Sequence, residues 1–142
     1  MVKKYPLKRS STKEAARKRE YARVCRQIDQ DMMDDLGYMI CTSCHAFLAG
    51  TSWGHSHNLP KGRFKDLEID PRNISPRCQD WGENHGCHEK LDRMEIEEIV
   101  KFKDFDEIME YRYDIAPGEY NKMVTAILEA GLDVKMEYYE EG

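Results

Sequence analysis

Apolar residues recur at helical spacing between Thr12 and Gly37, where Ala16, Tyr21, Val24, Cys25 and Ile28 stand among charged neighbours. Ser11 or Thr12 offers a cap and Gly37 a stop, so the pattern predicts one amphipathic helix with a weak apolar face. From residue 38 to residue 90 the character changes to short apolar runs broken by Gly, Ser and His, which predict short strands and loops. The helical period returns in "MEIEEIVKFKDFDEIMEYRYDIA", residues 94 to 116, and in "PGEYNKMVTAILEAGL", residues 117 to 132. Pro117 suits a first helical position and Gly131 a C-terminal cap. Met123, Ile127 and Ala130, with Val124 and Leu128 beside them, form a stripe that reads as core. Residues 1 to 11 carry Pro6, a serine pair and no period, and are expected to be extended or disordered. Three segments result: an arm and helix over 1–37, a central core over 38–93, and a helical region over 94–142.

A length of 142 residues fits one compact unit with appendages, and a charged fraction of 35 % leaves a modest apolar core. Such a fold gains from a staple, and the cysteines offer one. Five cysteines, an odd number, with a Cys-x-x-Cys pair and no apolar signal segment near Met1, argue for reduced thiols in a cytosol rather than a secreted disulfide scaffold. No apolar run approaches the roughly 20 residues of a membrane span, so a soluble cytoplasmic protein is expected. The net charge of −5 conceals an asymmetry. Met1 to Arg26 holds ten Lys or Arg against two acids, a local +8 that leaves −13 on the remainder. A basic arm that includes Arg17, Lys18, Arg19 and Arg23 reads as a phosphate-binding element, because such cations displace counterions from a polyanion whatever its sequence.

Cys41 and Cys44 form the knuckle "CTSC", in which two thiolates reach one ion from a tight turn. Cys78 and Cys87 are the pair left outside the first helix, and four thiolates are what a tetrahedral structural Zn²⁺ requires. The eight residues between them are more than the usual two, which keeps His85 open as an alternative fourth ligand. Cys25, on the apolar face of the first helix, reads as a small core residue.

Between and after the cysteine pairs stand "HSHNLPKG", "DPRNISPRC" and "CHEKL". Taken in order, His57, Asn73 and His88 interleaved with two cysteine pairs resemble the HNH endonuclease family, and more loosely its phage recombination and junction-cleaving members. The likeness spans about 50 residues, from Cys41 to Lys90, about a third of the chain. It implies an α+β fold with a ββα-metal (HNH or His-Me finger) core and a structural zinc, flanked by the basic N-terminal helix and by C-terminal helices. It also implies metal-dependent hydrolysis of DNA phosphodiester bonds, with a catalytic divalent cation, Mg²⁺ first and Mn²⁺ or Ni²⁺ as alternatives.

Phosphodiester hydrolysis at neutral pH needs a base of matching pKa, and imidazole supplies one; His57 is the candidate. By resemblance, Asn73 holds that imidazole in its working tautomer through its amide or its backbone carbonyl, and His88 is a ligand of the catalytic cation. Many members place Asp or His just before the base, where this chain has Ser56. His55 is a replacement ligand if the strand bulges, and His85 another if the helix begins early. Lys61, Arg63 and Lys65 follow the proposed base and suit a DNA backbone, while Trp53 and Trp81 suit either core or stacking. Two other readings remain: a catalytically inactive nucleic-acid-binding or assembly module, favoured by Ser56, and a protein-binding zinc adaptor that uses the acidic C-terminal half.

Overall fold

The computed structural model describes residues 12–50, 53–80 and 85–134. The arm preceding Thr12, with Lys3, Lys4, Lys8 and Arg9, and also Trp81, lie outside them. The fold is mixed α and β, built on one small sheet. Helix α1 covers Thr12–Leu36 and ends where Gly37 takes a positive φ of 82° and donates to the Met33 carbonyl at 2.8 Å. Strands β1 (Trp53–His57) and β2 (Ile74–Cys78) pair antiparallel, with Trp53 opposite Cys78 and His57 opposite Ile74. Helix α2 (Cys87–Asp92) follows and contacts both strands.

Alternation along β1 and β2 assigns one face of the sheet to each neighbour. Ile74 packs with Val24 and Cys25 of α1, flanked by Tyr21 and Ile28, so the first helix covers the Ile74 end of that face, while Trp53 and Cys78 at its other end join the larger core. This places Cys25 in the small core where its position on the helix predicts it. On the other face a Cβ at Gly54 would stand 3.7 Å from the His88 ring of α2, and Arg77 reaches Ser43 and Asp104.

The C-terminal half supplies the larger core. Helices α3 (Ile96–Ile99), α4 (Phe105–Ile115) and α5 (Pro117–Glu129) bury Ile99, Phe102, Phe105, Ile108, Met109, Tyr120, Met123 and Ile127 around the cysteines. The single helix expected over residues 94 to 116 is broken between Ile99 and Phe105. Lys103 N–H leaves the helical ladder to donate to the Ser43 carbonyl, and Asp104 is drawn inward to Ser43 and Arg77. Helix α5 begins at Pro117, and Gly131 has a positive φ of 67° just beyond its end. Its apolar stripe is narrower than expected, since Met123 and Ile127 are buried while Leu128 is 68 % exposed and Ala130 is exposed too. Among the described residues, no helix is long and apolar enough to cross a membrane.

Candidate active site and metal centre

The "CTSC" knuckle is a tight turn closed by His45 N–H on the Cys41 carbonyl at 2.8 Å, with His45 itself at a positive φ of 63°. It is fastened to the sheet by Thr42, whose N–H donates to the Pro76 carbonyl at 3.0 Å. That contact, two residues before Cys78, brings the knuckle beside the end of β2. Helix α2 then starts at Cys87, whose N–H points at the Cys78 sulfur at 3.4 Å. The sulfurs of Cys41, Cys44, Cys78 and Cys87 lie within 4.8 Å of one another, and those of Cys44 and Cys78 are 3.7 Å apart. Zinc–sulfur bonds of about 2.3 Å in a tetrahedron separate the sulfurs by about 3.8 Å, so the group fits a structural metal ion. His85 is exposed and outside this group, and Cys87 is the fourth member.

Crowding four thiols also sets their proton affinities against one another. The Cys87 thiol, donating to Cys41, pulls Cys41 down to about 4; burial opposes this and the amides of Cys78, Cys44 and Ser43 assist it. Cys87 is driven upward by the same contact, and Cys44 is pushed up to about 11, chiefly by burial. A divalent cation would relieve that competition, because it favours the thiolate at every ligand.

His57 closes β1. Its Nε2 lies 3.0 Å from the Glu68 carbonyl oxygen, and its ring stacks on Tyr21 of α1 with centroids 5.8 Å apart and planes 13° from parallel. A carbonyl only accepts, so Nε2 carries the proton and Nδ1 keeps its lone pair. Burial holds the pKa of His57 below the ordinary imidazole value; the positive charges of Lys61 and His88 act the same way, against the pull of Glu68. The ring lines a cleft of about 260 Å³ shared with Asp92 of α2 and with Arg63, Arg112, Glu119 and Lys122.

Asn73 is fully buried but serves a different atom set from the one expected. Its amide donates to the carbonyls of Leu59 at 3.0 Å and Leu67 at 3.1 Å, and its oxygen accepts from Leu59 N–H at 2.7 Å. Its backbone carbonyl takes Asn58 N–H at 2.9 Å. The partner of the His57 ring is the Glu68 carbonyl, and Asn73 pins the loop that presents it. Both amide hydrogens of Asn73 are engaged by the loop, which is why it does not hold the imidazole itself.

His88, on α2, has Nδ1 at 3.1 Å from Asp92 Oδ2 and turns the other edge of its ring toward Gly54, with Nε2 3.9 Å from where a Cβ there would stand. His55, the expected replacement ligand, points elsewhere: its Nε2 is 2.8 Å from Asp29 Oδ1 of α1, and its ring meets Trp53 edge to face. The ladder from Trp53 to His57 is continuous, so no bulge rotates His55 onto the face of Gly54 and His88. Ser56 does share that face. It is fully buried, and its hydroxyl has no hydrogen-bond partner among the described residues.

The cations divide into two groups. Arg17 and Lys18 of α1 border one groove with Lys61 and Lys65, residues far apart in the chain. Arg17 is anchored there by the Lys65 carbonyl and by Glu68 at 3.1 Å, and Lys61 lies 6.0 Å over the Tyr21 ring. Arg23 is paired within α1 to Glu20, Arg19 is exposed on the same helix, and Arg63 points into the His57 cleft on Glu119. Six contributors were not singled out by sequence: Tyr21, Glu68, Asp92, Arg112, Glu119 and Lys122. Only Asp92 carried a local signal, standing four residues after His88 in "CHEKLD". Comparison with known proteins brings no match, whether with family models, with curated proteins or with solved structures.

Proposed function

We propose that this chain is a metal-dependent endonuclease of the HNH type, hydrolysing DNA phosphodiester bonds on a ββα-metal core stapled by a structural zinc. The observation that supports the reading most is the His57 ring, oriented by the Glu68 carbonyl and Tyr21 so that a lone pair is left on Nδ1. With its pKa held low, the ring is neutral at pH 7 and ready to take a proton from water. His88 would hold the divalent cation through Nε2, its Nδ1 being engaged by Asp92, an arrangement typical of metal-binding histidines. That cation, when bound, supplies charge neutralisation at the scissile phosphate and the leaving oxygen. Arg17, Lys18, Lys61 and Lys65 outnumber Glu14 and Glu68 along one groove, which leaves it net basic and suited to a DNA backbone that they would hold without reading bases.

One observation favours a second reading. The position before the base offers only the hydroxyl of Ser56, a weak ligand where a carboxylate or imidazole would be strong. In that reading the same fold binds nucleic acid without cleaving it. Plasmid nicking with Mg²⁺, Mn²⁺ or Ni²⁺, on wild type and His57→Ala, decides. Nicking lost in His57→Ala supports the nuclease, and wild type inert with every metal while still binding DNA supports the binding module.

A further inference from the structure

Two arginines are buried to nearly the same degree in this molecule and are treated differently. Arg77, 1 % exposed, meets the Asp104 carboxylate at 2.7 Å and the Ser43 hydroxyl at 2.9 Å. Arg112 of α4, 2 % exposed, is hydrogen-bonded by neutral groups alone among the described residues. Its Nε donates to Asn58 Oδ1 at 2.8 Å and its Nη2 to the Asn58 carbonyl at 2.7 Å, with the Met94 sulfur at 3.9 Å. Among the described residues no carboxylate forms an ion pair with it. A guanidinium removed from water without a counter-charge is costly, and the interior that supplies Asp104 to one arginine supplies nothing equivalent to the other.

The surroundings indicate where the counter-charge comes from. Arg112 lines the same 260 Å³ cleft as His57, and Arg63 and Lys122 line it too. Those two cations share one carboxylate, Glu119, which pairs with Arg63 and lies 3.1 Å from Lys122 Nζ. Asp92, the other acid of the cleft, is engaged with His88. We infer that the cleft is a phosphate-binding site in which Arg112 is the inner fork and Lys122 and Arg63 are outer contacts, released from Glu119 when the anion enters. A tetrahedral anion with several oxygens suits three cations converging from different elements better than a single carboxylate does. Burial pulls Arg112 down to about 10, with the Glu119 charge offsetting part of the effect, as expected of a cation lacking a close anion. Identifying this phosphate with one in a DNA backbone presented to His57 rests on the nuclease reading, whereas phosphate binding itself does not.

The test is a titration of the zinc-loaded chain with inorganic phosphate, with a dinucleotide phosphodiester and with acetate, read at the Arg112 Nε–H and Asn58 side-chain NMR signals. Saturable shifts with phosphate, and weaker ones with acetate, are expected. Arg112→Gln should weaken phosphate binding about tenfold or more and Lys122→Gln about threefold, while Glu119→Gln, which frees the outer cations, should tighten it about tenfold. Should Arg112→Gln fail to fold, the opposite shifts of Lys122→Gln and Glu119→Gln still decide. Acetate binding as tightly as phosphate, or unchanged affinity in Lys122→Gln and Glu119→Gln, would overturn the inference. Phosphate binding in a chain that nicks no DNA would leave this site standing and remove the nuclease reading, and shifts with inorganic phosphate but not the diester would uphold the site for terminal phosphates.

Discussion

His88 Nδ1 and Asp92 Oδ2 lie 3.1 Å apart, one turn along α2 from each other. A carboxylate on one imidazole nitrogen fixes the tautomer and ring angle and raises the basicity of the other nitrogen. Asp92 is thus a positioning residue for His88 in the proposed cation site. Asp92→Asn should weaken Mn²⁺ binding to the zinc-loaded protein about tenfold by calorimetry, with unchanged zinc content and helicity. Equal Mn²⁺ affinity in variant and wild type would show that His88 does not act through Asp92.

Asn73 makes a stability prediction instead of a catalytic one. Asn73→Ala leaves the Leu59 N–H and the Leu59 and Leu67 carbonyls without the partners they now have, in a fully buried position. The cost should be about 3 kcal/mol, since each buried group stripped of its partner loses about 1–3 kcal/mol and the losses overlap. Urea unfolding measures it as a lower midpoint at similar slope. A loss below about 1 kcal/mol would mean that the loop carrying Glu68 does not depend on Asn73.

What was legible in the sequence followed from periodicity and from ligand spacing. Helical spacing gave α1 and its stop at Gly37, and thiol counting gave the group Cys41, Cys44, Cys78 and Cys87. Contacts made by backbone atoms were invisible, because a carbonyl such as that of Glu68 has no residue identity to read. Tyr21 looked like one more apolar position on α1, and only the pairing of α1 with the β1 and β2 sheet places its ring on His57. His55 could be judged only from the ladder register, since a single bulge would have turned it to the opposite face. The break before α4 was hidden for a similar reason: Asp104 is a helix residue by pattern, and a long-range demand from Arg77 and Ser43 removes it.

The cysteine group carries a prediction with an internal control. Ligand deprotonation and ordering accompany binding, so zinc affinity enters as folding free energy. The protein should hold about one zinc per chain, and Cys41→Ser or Cys78→Ser should abolish retention and unfold the region around the knuckle. Cys25→Ser should keep the zinc, because that thiol packs on Val24 and Ile74 and not in the cluster. Metal analysis and near-ultraviolet circular dichroism on the three variants check this. A well-folded Cys41→Ser protein would remove the structural role of the site.

Burial is the main reason that His57 titrates below the ordinary imidazole value of 6.5, with Lys61 and His88 adding to it. The sign of the stability effect follows. Below 6.5 the unfolded chain takes up a proton that the folded chain still resists, so stability rises with pH in that window. This contribution is fully present above about pH 6.5 and is lost as pH falls through the folded-state value. His57→Gln, whose amide can still donate to the Glu68 carbonyl, should flatten the dependence of unfolding free energy on pH below that point. The difference between variant and wild type isolates His57 from proton uptake at the cysteines, which both proteins share. An NMR titration of the ring gives the same quantity directly, and Lys61→Gln should move its midpoint upward. A midpoint above 6.5 in the wild-type protein would mean that His57 is solvated or paired with an anion, and that it is protonated over much of the range in which a base must work.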